Sequence, residues 1–538
     1  IPSNQVTGID IDRFIGDPYK AFTRVVNGGL NARTMLSHGD PCVPGATGAV
    51  LEYRDDLSLA TLEAHFETAV YSSPQQVTFF YVQGGEGTLD SGPGTASFKL
   101  RNGIGALVGP GVKQRFVNTG DKPLSMVMMT WTNNDGMTPP KNILTVDTIA
   151  EPFGNGRAHW VHMAKPMFGN ALISSEGREW KWQRGAAAPL FRHHELLQYG
   201  PIMSAAADAI VDRWKASPQS TVHHINRDMM RATFHVISST MLAGGAPDML
   251  RAVEQGHSDY YRGINWWVMY RLLGLPHWLP RPGGDAVRAH ETRLRQAVAA
   301  LVSERRAEAV EANDLLGRLL RASDPDTGLT MSDELLVDNV LSFLIAGFDT
   351  TAFALTWTLY LVSRSPEWEA RMVDEIARVV GDGPVTSAHV ERLTVVQQVL
   401  SESLRLFPTA PIIVRDILDD VELGGVPVKA GTVGIIPIYA IHRHRALWTD
   451  PDRFDPSRFA PDAATKPSRY QFLPFGAGPR ICMGSAFAMI ESTIMLATFV
   501  RAARFETDAR FDPQPASRMF LLPKSGMPMR VTLRGRAA

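Results

Sequence analysis

Cysteine is scarce in this chain. Only Cys42 and Cys482 occur among its 538 residues. Two thiols cannot form a disulfide framework, and if one of them binds a metal no intramolecular disulfide remains. A reducing compartment is then the simpler inference, so we expect a cytoplasmic protein.

The chain also has no marked excess of positive or negative residues. The formal net charge is -1 and the pI is near 7.0, so the composition does not indicate nucleic acid or an anionic membrane as a partner. We find no apolar run long enough to span a membrane and no signal segment at the start. Because the chain begins at Ile1 and not at methionine, a removed leader stays open.

The chain is long, and 44% of its residues are hydrophobic and 20% charged. This length and composition predict a globular protein of two or more domains. Residues 1–137 read as short strands between Gly, Asp, Pro and Ser turns, which predicts an all-β sandwich or barrel. The predicted strands are Gly48–Arg54, Leu57–Phe66, Val77–Val82, Ala96–Leu100, Lys113–Asn118 and Leu124–Trp131.

Two segments of this part, Tyr81–Gly87 and Gly111–Asn118, resemble the two motifs of the cupin family. The resemblance implies a barrel of the double-stranded β-helix type. Metal-binding cupins carry a histidine inside the second motif, where this chain has Gln114, and His38 and His65 are the only histidines of residues 1–137. We therefore expect a metal-free barrel that serves docking, homodimer formation or small-molecule binding.

The most informative stretch is a glycine-rich loop that begins at Phe475 and reads FGAGPRICMG. Glycines such as Gly476 and Gly484 let a tight turn approach a flat partner without Cβ clashes. The thiolate of Cys482 would bind a metal, with its charge stabilised by loop N–H groups and the following helix N-terminus. Arg480 would reach an anionic group on that partner. The alternative is a buried free cysteine in a loop.

The spacing F-x-x-G-x-R-x-C-x-G of this loop resembles the haem-binding loop of the cytochrome P450 family. The resemblance implies haem b (iron protoporphyrin IX) with Cys482 as the iron ligand and Phe475, Gly476, Arg480 and Gly484 as haem contacts. For residues 138–538 it implies a mainly α P450 fold with small β-sheets. The part before Trp180 is shorter than the family normally has.

Other residues resemble the family's haem contacts. Trp180 and Arg184 are four apart on one helix face, where an indole N–H and a guanidinium suit a carboxylate. The W-x-x-x-R pattern resembles the P450 helix that holds a haem propionate, and Arg415 stands where a family arginine commonly does the same. The alternative for the pair is a tryptophan packed under an arginine stem.

A polar notch interrupts the long apolar helix predicted over Leu335–Val362. There the Thr350 hydroxyl can bond to the carbonyl of Ala346, which would open the helix locally. The segment resembles the oxygen-activating A-G-x-D/E-T of P450s. The resemblance implies that Thr350 stabilises bound oxygen and that Asp349 relays protons. The alternative is a polar notch without chemistry.

Glu402 and Arg405 resemble the family's E-x-x-R motif, with Arg458 as the third member of a buried triad. Such a triad must be fully paired to be tolerated, and its role would be to hold the cysteine loop in register. For His442 we keep two interpretations, a haem-side contact and a core histidine whose hydrogen bonds are satisfied.

Together the motifs predict a P450 monooxygenase that inserts one oxygen atom of O2 into an apolar small molecule. Because the chain ends at Ala538 without a fused reductase, we expect a separate ferredoxin- or flavodoxin-type donor and its reductase. The alternatives are a peroxide-driven or non-oxygenating P450, a haem-based sensor or carrier with the barrel as effector, and a bifunctional enzyme with an active cupin.

Overall fold

The described part of the chain consists of fifteen segments. The computed structural model describes residues 23–26, 30–37, 39–40, 43–47, 56–101, 104–132, 144–147, 168–218, 221–241, 284–307, 314–324, 327–423, 426–463, 465–508 and 510–535. Cys42, His38 and the predicted strand Gly48–Arg54 lie outside these segments. Described residues before 148 form strands and turns, whereas those after 167 are mainly helical.

The strands of the first part pair antiparallel in two main sheets. A seven-stranded sheet has the order β1-β2-β5-β11-β6-β9-β12, and a three-stranded sheet has the order β10-β7-β8. The strands are β1 (Thr23–Val26), β2 (Leu30–Ser37), β3 (Gly39–Asp40), β4 (Val43–Thr47), β5 (Asp56–Leu62), β6 (Gln76–Gly84), β7 (Gly87–Asp90), β8 (Phe98–Leu100), β9 (Ile104–Val108), β10 (Arg115–Asn118), β11 (Leu124–Thr132) and β12 (Leu144–Asp147).

A common core joins the two sheets into a sandwich. The rings of Phe80 on β6 and Phe116 on β10 meet edge to face, with centroids 4.6 Å apart. Leu89, Leu100 and Met126 are buried with them. Every second residue of β10 is buried, as expected of a strand with one face on a core. The all-β prediction is thus confirmed, but the described sheets do not close into a barrel, so the cupin barrel stays a prediction.

The predicted end of this part is untested. Strand β12 lies beyond residue 137 and pairs antiparallel with β9. Gln114, at the position of the cupin histidine, is buried, and its backbone bonds to that of Tyr71. Among the described residues, no group of three or more His, Cys, Asp or Glu side chains could hold a metal ion.

Eleven α-helices dominate the described residues after 167. They are α1 (Gly177–Ala187), α2 (His193–Leu197), α3 (Gly200–Lys215), α4 (Ile225–Met241), α5 (Gly284–Ala307), α6 (Leu315–Arg321), α7 (Asp333–Ser363), α8 (Pro366–Val380), α9 (Thr394–Leu406), α10 (Ile438–Ile441) and α11 (Ser485–Ala502). Small sheets are formed by β13 (Val222–His224), β14 (Ile413–Asp416), β15 (Val421–Leu423), β16 (Val426–Val428), β17 (Val433–Ile436), β18 (Ala503–Glu506), β19 (Pro515–Arg518), β20 (Phe520–Pro523) and β21 (Pro528–Leu533).

The central element is α7, which begins where the Ser332 side chain accepts the Leu335 N–H. Asp333 and Glu334 in its first turn favour the positive end of the helix dipole. Both α7 and α11 are long and apolar enough to span a membrane, contrary to the sequence expectation. In the structure 72% and 67% of their apolar windows are buried, as in the core helices of soluble proteins.

A short segment before α1 fixes that helix against α7. Gly169 has φ +55°, and an ideal Cβ there would lie 2.0 Å from Asp338 Oδ2. The Asn170 N–H donates to that carboxylate over 2.8 Å. Gln183 on α1 donates to the Asn170 carbonyl and accepts from Asn339 on α7, each over 3.0 Å. These bonds set the position of the helix that carries Trp180 and Arg184.

Candidate functional site

The glycine-rich loop is closed by its own backbone. Gly476 and Gly478 have φ of +73° and +75°, a left-handed region that favours glycine. The Cys482 N–H donates to the Phe475 carbonyl over 3.0 Å. Gly484 then forms the N-cap of α11, so the sulfur lies just before a helix N-terminus. This part of the fold follows directly from the glycine positions in the sequence.

The Cys482 sulfur is available as a ligand. The residue is exposed to solvent. The surrounding protein nevertheless partly desolvates the thiol, and this raises its pKa. The Gly484 N–H bonded to the sulfur and the charge of Arg184 lower that pKa. A single exposed sulfur suits a metal that brings most of its other ligands with it. Haem iron does so, and the donor set therefore fits haem.

Two guanidinium groups flank the Trp180 indole. Arg480 lies 4.4 Å and Arg184 5.6 Å from the ring centroid. Arg480 donates to the Ser175 carbonyl over 2.7 Å. Arg184 donates to the Ile481 carbonyl over 3.3 Å and thereby contacts the cysteine loop. The predicted pair on α1 and the predicted loop arginine are thus brought together.

A third cation belongs to this group. Burial lowers the pKa of Arg480, and the nearby charges of Arg415 and Arg184 lower it further while Glu176 opposes them. Burial also lowers the pKa of Arg415, whose Nη1 donates to the Val414 carbonyl over 2.8 Å. Three guanidiniums near one exposed sulfur suit the two carboxylates of a haem. Their roles as haem contacts stay predictions.

The predicted threonine bond is present on α7. Thr350 Oγ1 donates to the Ala346 carbonyl over 2.8 Å. The helix is nevertheless continuous from Asp333 to Ser363, so the predicted local opening is not seen. Gly347 is explained by packing, because a Cβ there would lie 2.6 Å from Ile237 Cδ1 on α4. Asp349, the predicted proton relay, is 1% exposed.

Sequence reasoning missed a buried acid beside this segment. Glu491 on α11 is 1% exposed, and burial raises its pKa well above the usual value. The hydroxyl of Thr351, next to Thr350, acts against that rise. The only sequence signal is a lone carboxylate within the apolar run that follows the cysteine loop.

The predicted Glu–Arg–Arg triad is assembled and buried. Arg405 donates from Nε and Nη2 to the two oxygens of Glu402 over 2.7 and 2.8 Å. Arg458 Nε lies 3.4 Å and the Asp455 N–H 2.8 Å from Glu402 Oε1. Burial raises the pKa of Glu402, and these bonds oppose the rise. Arg405 also donates to the Pro451 carbonyl, so α9 is bonded to the segment between α10 and the loop.

Comparison with known proteins agrees with this site. The family model described as Cytochrome P450 matches residues 136–530. Cyclooctatin synthase of Streptomyces melanosporofaciens is 35% identical over 340 residues, which are 62% of this chain and 72% of that protein. Pentalenene oxygenase of Streptomyces avermitilis is 30% identical over 398 residues, which are 73% of this chain and 86% of that protein.

A solved structure agrees with these matches. The crystal structure of the cytochrome P450DA heme domain superimposes with a TM-score of 0.63 at 27% identity, over 71% of this chain and 84% of that one. The family match covers the Cys482 loop, the triad and the Thr350 segment. The chain belongs to the cytochrome P450 family and is a monooxygenase of that family with haem b as its cofactor.

Proposed function

We propose that the chain inserts one oxygen atom of O2 into an apolar small molecule, with electrons from a separate ferredoxin- or flavodoxin-type donor and its reductase. The observation that carries this proposal is the surroundings of Cys482. An exposed sulfur with a bonded N–H lies beside the guanidinium of Arg184, and Arg480 and Arg415 carry two further charges nearby. This is a site for one thiolate-bound group with negative side arms.

Haem, when bound, supplies the oxygen chemistry, and a thiolate ligand favours O–O cleavage. The chain's own residues hold and orient it. Cys482 supplies the anionic sulfur, and the Gly484 N–H stabilises its charge. Arg184, Arg415 and Arg480 would neutralise the haem carboxylates. Trp180 contacts two of those guanidiniums with its ring, 5.6 Å from Arg184 and 4.4 Å from Arg480, and so helps to position them.

We propose that residues of α7 deliver protons. The Thr350 hydroxyl donates a hydrogen bond to the Ala346 carbonyl. The lone pairs of its oxygen are therefore left to accept a hydrogen bond. Asp349 adjoins it and is held inside the protein. We propose that Asp349 supplies protons and that Thr350 holds the oxygen that receives them.

The substrate class is proposed from the relatives. One is named pentalenene oxygenase and another cyclooctat-9-en-7-ol 5-monooxygenase, names that denote an alkene and an unsaturated alcohol. They support an apolar, cyclic substrate.

For residues 1–137 we propose a metal-free, cupin-like module in a cytoplasmic protein. The two-sheet sandwich supports the cupin-like part of this proposal. The buried Gln114 at the position of the cupin histidine supports its metal-free state. Docking, homodimer formation and small-molecule binding remain its candidate roles, and one stoichiometric non-haem metal in the purified protein would instead favour an active cupin.

The test is turnover of cyclic alkenes and alkenols that shift the ferric haem spectrum, with O2, NADPH, a surrogate ferredoxin and its reductase. We expect oxygenated product, and Thr350→Val should lower its rate by about 100-fold, the lower end of what positioned proton transfer contributes. Thr358→Val is the matched control, because Thr358 donates to the Ala354 carbonyl on the same helix. It should keep the wild-type rate.

Two results would contradict the proposal. Product formed with hydrogen peroxide but not with O2 and the reductase system would identify a peroxide-driven enzyme. Spectral shifts without any oxygenated product would identify a haem-based sensor or carrier.

A further inference from the structure

His442 follows α10 and is fully buried. Both nitrogens of its ring have backbone partners. The Leu473 N–H lies 2.8 Å from Nε2, and Nδ1 lies 3.2 Å from the Arg405 carbonyl oxygen. One partner therefore belongs to α9 of the buried triad, and the other to the segment that leads into the cysteine loop.

These partners determine where the ring carries its proton. An amide N–H can only donate, so Nε2 must accept from Leu473. A carbonyl can only accept, so Nδ1 must carry the hydrogen and donate to Arg405. Burial lowers the pKa of His442 to about 3, with the Arg405 charge acting in the same direction, so the ring is neutral near pH 7.

From Leu473 the hydrogen bonds continue to the sulfur-bearing residue. The Leu473 carbonyl accepts from the Gly476 N–H over 3.0 Å. The Phe475 carbonyl then accepts from the Cys482 N–H over 3.0 Å. At the other end, Arg405 Nη1 donates to the His442 carbonyl over 2.8 Å, so His442 is bonded to Arg405 in both directions.

We infer that His442 is a positioning residue that sets the position of the cysteine loop relative to α9, by accepting from Leu473 and donating to Arg405 as the neutral Nδ1–H tautomer. The Glu402–Arg405–Arg458 triad alone does not reach the loop backbone through any bond found between described residues. His442 supplies that connection. Its spectroscopic test rests on the proposed haem site, but its structural test does not.

Three substitutions separate hydrogen bonding from packing. A glutamine amide can occupy the place of Nε2, so His442→Gln keeps an acceptor for the Leu473 N–H. An asparagine amide can occupy only the place of Nδ1, so His442→Asn keeps the donor to Arg405 but loses the bond to the loop. His442→Phe keeps an aromatic ring and loses both bonds. His444→Gln, at an exposed position two residues on, is the control.

In the haem-loaded protein we measure the Soret band of the reduced carbonyl adduct, which distinguishes a thiolate-bound iron from one that has lost its thiolate, and the rate of haem transfer to apomyoglobin. His442→Asn and His442→Phe should lose the thiolate band and release haem about 5- to 100-fold faster, the range set by an unsatisfied buried group. His444→Gln should stay within about twofold of wild type. His442→Gln, which keeps the bond to the loop but leaves the Arg405 carbonyl without its donor, should keep the thiolate band and release haem more slowly than the other two His442 variants.

Equal behaviour of the asparagine, phenylalanine and glutamine variants would reduce His442 to a packing role and overturn the inference. Amide hydrogen exchange in haem-free protein decides the matter independently. Exchange at Leu473 and Cys482 should be faster in His442→Phe than in His442→Gln, and equal rates would overturn the inference. A wild-type protein without the thiolate band would instead contradict the proposed function.

Discussion

At the scale of single residues, Glu491 is a carboxylic acid whose surroundings favour its neutral form. It lies in the apolar body of α11, and burial raises its pKa well above the usual value. Its Oε1 has no hydrogen-bond partner among the described residues. A charge at this place would be costly, so the folded protein holds the proton to a higher pH than the unfolded chain, whose glutamate pKa is about 4.3.

The free energy of unfolding should therefore depend on pH through this residue. Between the unfolded pKa and the raised folded pKa, the folded state binds more protons, so stability falls as pH rises. Glu491→Gln removes this loss of stability with rising pH. Relative to wild type it should gain stability as pH rises between the unfolded pKa of about 4.3 and the raised folded pKa, whereas Glu179→Gln at an exposed position should not. Urea unfolding across this range is the measurement, and parallel curves for wild type and Glu491→Gln would contradict the assignment.

Residue-scale prediction from sequence succeeded where partners are close along the chain. The bond from Thr350 to Ala346 and the shared face of Trp180 and Arg184 follow from helix geometry alone. The partners of His442 are 37 and 31 residues away, and their contact depends on how three segments meet. No local sequence pattern predicts these contacts, so the sequence alone left two interpretations of His442 open.

At the scale of elements, the apolar pattern predicted long helices closely. Leu335–Val362 was expected and α7 spans Asp333–Ser363. The short strands β7 and β9 were missed, because β7 has four residues, three of them buried, and shows no alternation to recognise. The predicted local opening of α7 is not seen. The Thr350 hydroxyl bonds to the Ala346 carbonyl, but the helix continues through this point and most of its residues are buried.

The placement of α1 depends on one glycine that no periodicity would reveal. Gly169→Ala should cost about 3–5 kcal/mol, because it combines backbone strain at φ +55° with displacement of the Asp338 carboxylate from the Asn170 N–H. Gly177→Ala is the matched control, since Gly177 has the same φ of +55° but nothing within 4 Å of its Cβ position. It should cost about 1 kcal/mol, the strain alone. Equal unfolding free energies for the two variants would show that Asp338 moves aside freely.

At the scale of the whole molecule, the two largest hydrophobic cores of the described residues have no residue in common. One fills the sandwich between Leu30 and Met128, and the other fills the helical part between Ala187 and Val531. Separate cores are what allow domains to fold as independent units. The change between strand-like and helix-like patterns predicts two domains from the sequence, and the predicted boundary at residue 137 stays a prediction. The pairing of β12 with β9 could not be predicted in this way, because it depends on the three-dimensional sheet.

Calorimetry of the full haem-loaded chain should therefore show two unfolding transitions, of which only one coincides with loss of the Soret band. Phe80→Ala should destabilise the sandwich by about 3–5 kcal/mol and leave the Soret transition in place, because Phe80 is fully buried against Phe116. Phe499→Ala, equally buried in the helical core, should lower the Soret transition and leave the other unchanged. If each variant moved both transitions by the same amount, the sandwich would be part of the haem domain's own stability, because a substitution in one core could not otherwise reach the other.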